Sequence, residues 1–242
     1  WSVAGIATGR HILSGAPVAE TRPVLPPPGE GESLLADYAS TGLTLGRHPL
    51  ALLRPRLSRM CFATADELKH LGAALASYGS MGMFHFVGVT PEAPSSLPAE
   101  KMLVGEKEID SVYAGYSLGD GDGRLVVFSG PQQSLLEMKR LAGLFQGRKV
   151  QGSCFVTTNG AVLAQSRDLG YAQTLEQAGV TILQGVCFYI LQNLSLMRER
   201  NRWTNMVSNS AKIVNIIGAH RFNTILRRTA DCVEIACTGK LK

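Results

Sequence analysis

Residues 124–186 constrain this chain more than any other stretch, because they repeat one supersecondary unit. Residues 124–129 (RLVVFS) form a short, continuous apolar run of strand type, and Gly130-Pro131 turns it. Ser134 then opens a helical pattern through Gln146, with Glu137 completing a capping box and Gly147 ending the helix. Residues 150–157 read as the next strand, Asn159 caps residues 160–169, residues 171–178 make a short helix, and residues 180–186 a third strand. Residues 206–208 are a candidate fourth strand, followed by a helix from Ser210 to about Gly218 and a last helix capped by Thr229. Strand, turn, helix, strand is the signature of right-handed βαβ units. The fold class is therefore α/β, a parallel sheet flanked by helices.

Ligands of such sheets bind beyond the carboxyl ends of the strands. That rule selects the loops 129–134, 157–159, 185–188 and 208–212, which hold Gly, Ser, Thr, Asn, Cys and Lys. Helix N-termini there present free amides to an anion. Residues 208–212 (SNSAK) offer an amide, two hydroxyls and an ammonium, suited to a carboxylate or phosphate; the same residues also serve as a plain N-cap. Cys187 follows a strand end and Cys232 lies in the last helix; they read either as iron ligands awaiting a third or as inert buried thiols. Gly-rich residues 119–123 fail as a calcium loop, because Pro131 stands where the EF-hand needs Glu. No GxGxxG, GxxxxGK[ST] or CxxC pattern occurs.

Ahead of the repeat, residues 66–77 read as a helix capped by Thr64, and residues 81–89 as an apolar run of strand type stopped by Pro91 and Pro94. Residues 1–71 lack the periodicity of an autonomous domain. Pro23, Pro26, Pro27 and Pro28 make a stiff linker, a helical pattern covers 33–38, and Pro49 and Pro55 shorten the next. This segment is an irregular, partly helical connector. At 45% hydrophobic and 18% charged, the chain as a whole is not a disordered one. The net charge of +5 gathers in residues 198–242, which carry +6. Such a basic face meets phosphate, carboxylate or nucleic acid, but Arg198, Arg200 and Arg202 lack the aromatic interleaving of single-strand binders. Residues 180–197 are uncharged yet contain Gln184, Gln192, Asn193 and Ser195, so a buried strand and short helix are expected rather than a membrane span. Five cysteines and no secretory leader favour a reducing cytoplasm, and a start at Trp1 reads as part of a longer chain.

Residues 72–239 resemble the C-terminal part of the large catalytic region of the aconitase X family. The resemblance rests on MFHFVGVTPEAP (83–94), VGEKEI (104–109), the P-x-x-S turn (131–134), FVTTNGAV (155–162), SNSAK (208–212) and DCVEIACTG (231–239). It implies an iron-dependent hydro-lyase that dehydrates a small acid such as cis-3-hydroxy-L-proline or phosphomevalonate. Ser134, Ser210 and Lys212 would then be catalytic, Thr90, Glu92, Thr157 and Asn209 would bind substrate, and Cys187 and Cys232 would hold iron or an iron–sulfur cluster. Gly130 stands where the family usually has a ligating cysteine, and Gln132 where it has a histidine. The partners implied are a small acidic substrate and a small swivelling subunit or domain; neither nucleic acid nor a membrane is expected. With these positions changed, little or no dehydratase activity is expected of the chain alone.

Residues 1–71 instead resemble a connector of bacterial DNA polymerase III alpha subunits of the error-prone type, through ADYASTGLTLGRHPLALLR (36–54). The expected organisation is a connector over 1–71 and a catalytic fragment over 72–242, with a seam near 64–72. The alternative function is a DNA-associated or partner-binding fragment.

Overall fold

The structure, a computed structural model, describes residues 28–41, 65–87, 93–116 and 122–241. The chain divides into two compact units, Trp1–Phe62 and Ala63–Lys242. In the first, the described residues form helix α1 (Glu30–Thr41), longer than the 33–38 pattern. Glu32 returns to the Gly29 amide at 2.9 Å, which satisfies a free donor ahead of the first turn.

The second unit is built on five parallel strands in the order β3-β2-β1-β4-β5. They are β1 (Leu125–Gln133), β2 (Ser153–Thr158), β3 (Thr181–Gln184), β4 (Asn205–Ser208) and β5 (Asn223–Leu226). The central strand explains the arrangement. Leu125, Val126, Val127 and Phe128 are all at most 1% exposed, so both faces of β1 must be covered. Val126 and Phe128 point into a core shared with α4 (Leu135–Phe145), α6 (Tyr171–Ala178) and α9 (Thr229–Thr238). Leu125 and Val127 point the other way, to a second core with Phe188, α7 (Leu194–Asn201), Trp203 and α8 (Ala211–Ile216). Alternation of side chains along a strand produces this division.

Local signals hold where the chemistry is explicit. Ser134 Oγ accepts from the Glu137 amide at 3.2 Å while Glu137 Oε2 accepts from the Ser134 amide at 2.7 Å, which is the expected reciprocal box. Asn159 Oδ1 accepts from the Val162 amide at 2.9 Å and starts α5 (Gly160–Asp168). The early helix is α2 (Ala65–Gly79); its expected cap Thr64 lies outside the described residues. The stretch 180–197 resolves into β3, a 3-10 turn (Phe188–Ile190) and the start of α7, and no helix among the described residues is long and apolar enough to cross a membrane.

Other expectations are corrected. Residues 81–86 form no strand, and Met81 and Met83 are 55% and 75% exposed. An apolar run does not by itself specify a strand, and this one pairs with neither edge strand of the sheet, β3 or β5. β1 continues through the cis Gly130-Pro131 peptide to Gln133, with an irregularity in its register against β2. Arg228, not Thr229, is the N-cap of α9; Thr229 is its first helical residue. β5 and α3 (Glu106–Gly115) went unread, because NTIL is short and half polar and α3 buries no residue.

Close packing between β1 and β2 makes one glycine indispensable. A Cβ on Gly152 would stand 2.4 Å from the Arg124 carbonyl oxygen, beside the Ser153 amide bond to that same oxygen at 2.7 Å. Gly152→Ala should therefore destabilise the fold by about 1–3 kcal/mol, read by urea unfolding. An unchanged midpoint would show that this corner yields at no cost.

Candidate functional site

The site stands where the parallel sheet opens, at the carboxyl ends of β1, β2, β3 and β4. Ser134 follows β1, Thr157 lies near the end of β2, Cys187 follows β3, and Asn209, Ser210 and Lys212 follow β4. Cross-links tie these loops together. Gln132 Nε2 donates to the Val186 carbonyl at 3.1 Å, and Thr158 Oγ1 donates to the Gln133 carbonyl at 2.7 Å. Ser210 Oγ donates to the Gly130 carbonyl and accepts from the Ile213 amide at 3.3 Å, so it joins the β1 turn to α8. The two candidate catalytic serines thus differ. Ser134 uses its oxygen as a cap and keeps its own proton to give to a ligand. The Ser210 proton is already committed to Gly130.

Thr157 is fully buried and donates to Ser129 Oγ at 2.9 Å; Ser129 in turn faces Cys187 Sγ at 3.7 Å and accepts from the Phe188 amide at 3.2 Å. These groups lie on the Phe188 side of the sheet. Cys232 lies in the opposite core and donates to the Arg227 carbonyl at 3.5 Å, just past β5. Burial pushes its thiol pKa well up, so it stays protonated at neutral pH. Strands β1 and β5 are two ladder spacings apart, about 10 Å. The structure therefore does not bring Cys187 and Cys232 together, and the described residues contain no group of three His, Cys, Asp or Glu that could hold a metal ion. Nor is Gly130 a simple gap for a third thiolate: its φ is +61° and a Cβ there would come within 3.3 Å of Ile213 Cβ. The donor set as it stands does not fit a shared iron site. Thr90 and Glu92 lie outside the described residues.

A cavity of about 600 Å³ adjoins this loop cluster. One wall is α2, through Glu67 and His70; the other is α4 with Gln133, Asn209 and Thr229. Glu137 holds the walls together. Its carboxylate takes Lys69 and, at 2.5 Å, His70 Nε2, while Lys69 also donates to the Gln132 carbonyl at 3.0 Å. Burial by itself would raise the Glu137 pKa, but the hydrogen bonds from His70, Lys69 and the Ser134 amide outweigh it and bring it down to about 2. Asn209 Nδ2 donates to Thr229 Oγ1 at 3.0 Å. Arg140 also lines the cavity, one turn beyond Glu137 on α4. Reading the loops alone missed Arg140 and Thr229, because only the docking of α2 makes their surface a wall.

Two family models match the chain: aconitase X second domain over residues 36–114 and aconitase X third domain over residues 123–238. The chain belongs to the aconitase X family. The second-domain match runs through the expected seam at 64–72. Phosphomevalonate dehydratase large subunit of Methanosarcina mazei is 29% identical over 214 residues, 85% of this chain and 50% of that protein. Cis-3-hydroxy-L-proline dehydratase of Pseudomonas aeruginosa is 30% identical over 187 residues, 72% of this chain and 32% of its own length. The chain thus spans half or less of these aconitase X relatives. The crystal structure of Thermococcus kodakaraensis aconitase X (holo-form) shares the fold, with a TM-score of 0.61 and 24% identity over 72% of this chain and 44% of that one. A 69-residue stretch, 28% of the chain, is 54% identical to 7% of an error-prone DNA polymerase of Bordetella parapertussis.

The Glu137 node has a measurable pH signature. Its folded pKa lies below the ordinary carboxylate value of 4.5, so its contribution is complete above that value and is lost as pH falls towards about 2. Glu137→Gln should cost about 1–3 kcal/mol at pH 7. In urea unfolding, the gap between wild type and variant should close as pH is lowered from about 5 to about 2. A gap that stays constant across that range would remove the carboxylate from the account.

Proposed function

We propose that this chain carries a substrate-binding and proton-handling portion of an aconitase X dehydratase acting on a small β-hydroxy acid. The observation that carries the reading is the meeting of Ser134, Thr157, Asn209 and the Ser210–Lys212 turn at one end of the parallel sheet. Dehydration removes the hydrogen alpha to a carboxylate as a proton and the β-hydroxyl as water, leaving an unsaturated acid. In this reading Ser134 donates a hydrogen bond to the substrate, Thr157 supports the loop through Ser129, and Asn209 holds a substrate oxygen. Ser210 keeps the Gly130 turn in place, the α-proton passes to solvent, and the Lys212 ammonium protonates the departing hydroxyl and is reprotonated from solvent, so that one water leaves in balance. Thr90 and Glu92 are assigned to substrate through the family pattern alone.

Iron or an iron–sulfur cluster, which the family likeness implies, would act as a Lewis acid on that hydroxyl. No step is assigned to it here, because Cys187 and Cys232 stand apart. The chain alone is accordingly proposed to turn over slowly or not at all, in a reducing cytoplasm and with a further domain or small subunit supplying the rest. That the Methanosarcina mazei relative is a large subunit supports that partner.

Flattening of the α-carbon gives the test. Pyrrole-2-carboxylate is planar there, as the transition state becomes, whereas L-proline is not. In calorimetric titration the planar acid should bind at least about tenfold tighter than L-proline, and Lys212→Ala should erase that preference. Equal affinities would sink the dehydratase reading. Rapid release of water from cis-3-hydroxy-L-proline or phosphomevalonate by the isolated chain would refute the proposed impairment.

A further inference from the structure

We propose that Ser195 and His220, which the dehydratase reading leaves unused, form a second chemical site: a serine activated by its histidine to accept a short aliphatic acyl group from an activated ester or thioester. The inference is independent of the dehydratase reading. It starts from one imidazole held at both nitrogens. His220 closes the 3-10 turn after α8 (Ile217–His220), and its Nε2 stands 3.2 Å from the Tyr189 carbonyl oxygen. A carbonyl oxygen only accepts, so Nε2 carries the hydrogen and donates it there. In the neutral ring that leaves Nδ1 as the bare acceptor, and Ser195 Oγ lies 3.2 Å from it. The Ser195 hydroxyl therefore donates to Nδ1. The Tyr189 ring meets the imidazole at 77°, with centroids 5.8 Å apart, and with the carbonyl bond it fixes the plane of the histidine.

Nucleophile, base and orienting acceptor thus follow one another as acyl transfer requires: hydroxyl to imidazole, imidazole to a fixed carbonyl. Ser195 is exposed, so an acyl donor reaches it from solvent, and its hydroxyl makes no second hydrogen bond with the described residues. It is also the second residue of α7, whose N-cap Asn193 makes no side-chain bond to the first turn. The first amide of α7 to bond within the helix is that of Met197, to the Asn193 carbonyl at 2.9 Å. The Leu196 amide is therefore free among the described residues, and the amide following a nucleophile is where an acyl oxyanion is met. Ile190 and Leu196, next in the chain to Tyr189 and Ser195, are 66% and 45% exposed and offer apolar surface to a short aliphatic chain. In the reaction Ser195 Oγ attacks the acyl carbon and its proton moves to His220 Nδ1. The bond to the leaving oxygen or sulfur breaks, and the imidazolium returns the proton to that atom. Water then opens the acyl-serine, giving one proton through Nδ1 to the serine oxygen and releasing the carboxylic acid.

The experiment treats the full chain with an alkyl fluorophosphonate, which bonds its phosphorus to an activated serine oxygen with loss of fluoride and the hydroxyl proton, and follows Ser195 by peptide mass spectrometry. Ser195 should label at least about tenfold faster in the folded chain than in the urea-unfolded one, and His220→Ala should slow it about tenfold or more, since a positioned base contributes about a hundred- to ten-thousand-fold. Added imidazole should restore the His220→Ala rate, which a histidine of merely structural role would not permit. Release of p-nitrophenolate from p-nitrophenyl acetate should fall in Ser195→Ala, a substitution at an exposed helical position that leaves the melting temperature unchanged. Labelling no faster than in the unfolded chain, a folded His220→Ala that labels like wild type or is not rescued by imidazole, or undiminished release by Ser195→Ala would each overturn the site. Should His220→Ala fail to fold, the comparison of folded with unfolded chain and the Ser195→Ala result decide.

Discussion

The central strand governs this molecule. Leu125–Phe128 exclude water on both sides, so helices must cover two faces, and the crossovers that bring them must run from the end of one parallel strand to the start of the next. Every loop of the candidate site is a by-product of that requirement. The connections after β1, β2 and β4 each begin with a short polar segment and a capping side chain: Ser134, Asn159 and Ser210. Polar residues gather at one end of the sheet because helices must start there, and the site draws on them.

The same alternation separates groups that look joinable in the sequence. Cys187 follows a strand end and Cys232 lies in the last helix, and nothing in the sequence keeps them from reading as co-ligands. The side-chain period of two and the strand order put one beside Ser129 and the other in the opposite core past β5. A pair of ligands is a statement about three dimensions, and the strand order that decides it is not written in the spacing of two residues.

Glu137 shows one residue serving two levels of structure. Within α4 it closes a capping box that can be read from S-x-x-E. Across the unit it receives Lys69 and His70 from α2, sixty-eight and sixty-seven positions away in the chain. The second role creates the cavity, and with it the wall position of Arg140. The strings that carry the resemblance in the sequence, from 83–94 to 231–239, fall on strands, caps, loops and other helices and do not include α2.

The sequence by itself determined the α/β class, four of the strands, the caps at Ser134 and Asn159, and the family. These depend on interactions between near neighbours, or on strings long enough to be matched. It did not reveal β5, whose four residues gain strand geometry only from pairing with β4, nor that the apolar run at 81–86 forms no strand. The tertiary structure decided which face each thiol occupies, that Thr229 accepts a bond rather than caps a helix, and that α2 walls a cavity with Arg140 opposite. Those outcomes belong to contacts between distant segments, where the competition for ladder partners and buried surface selects among locally equivalent choices.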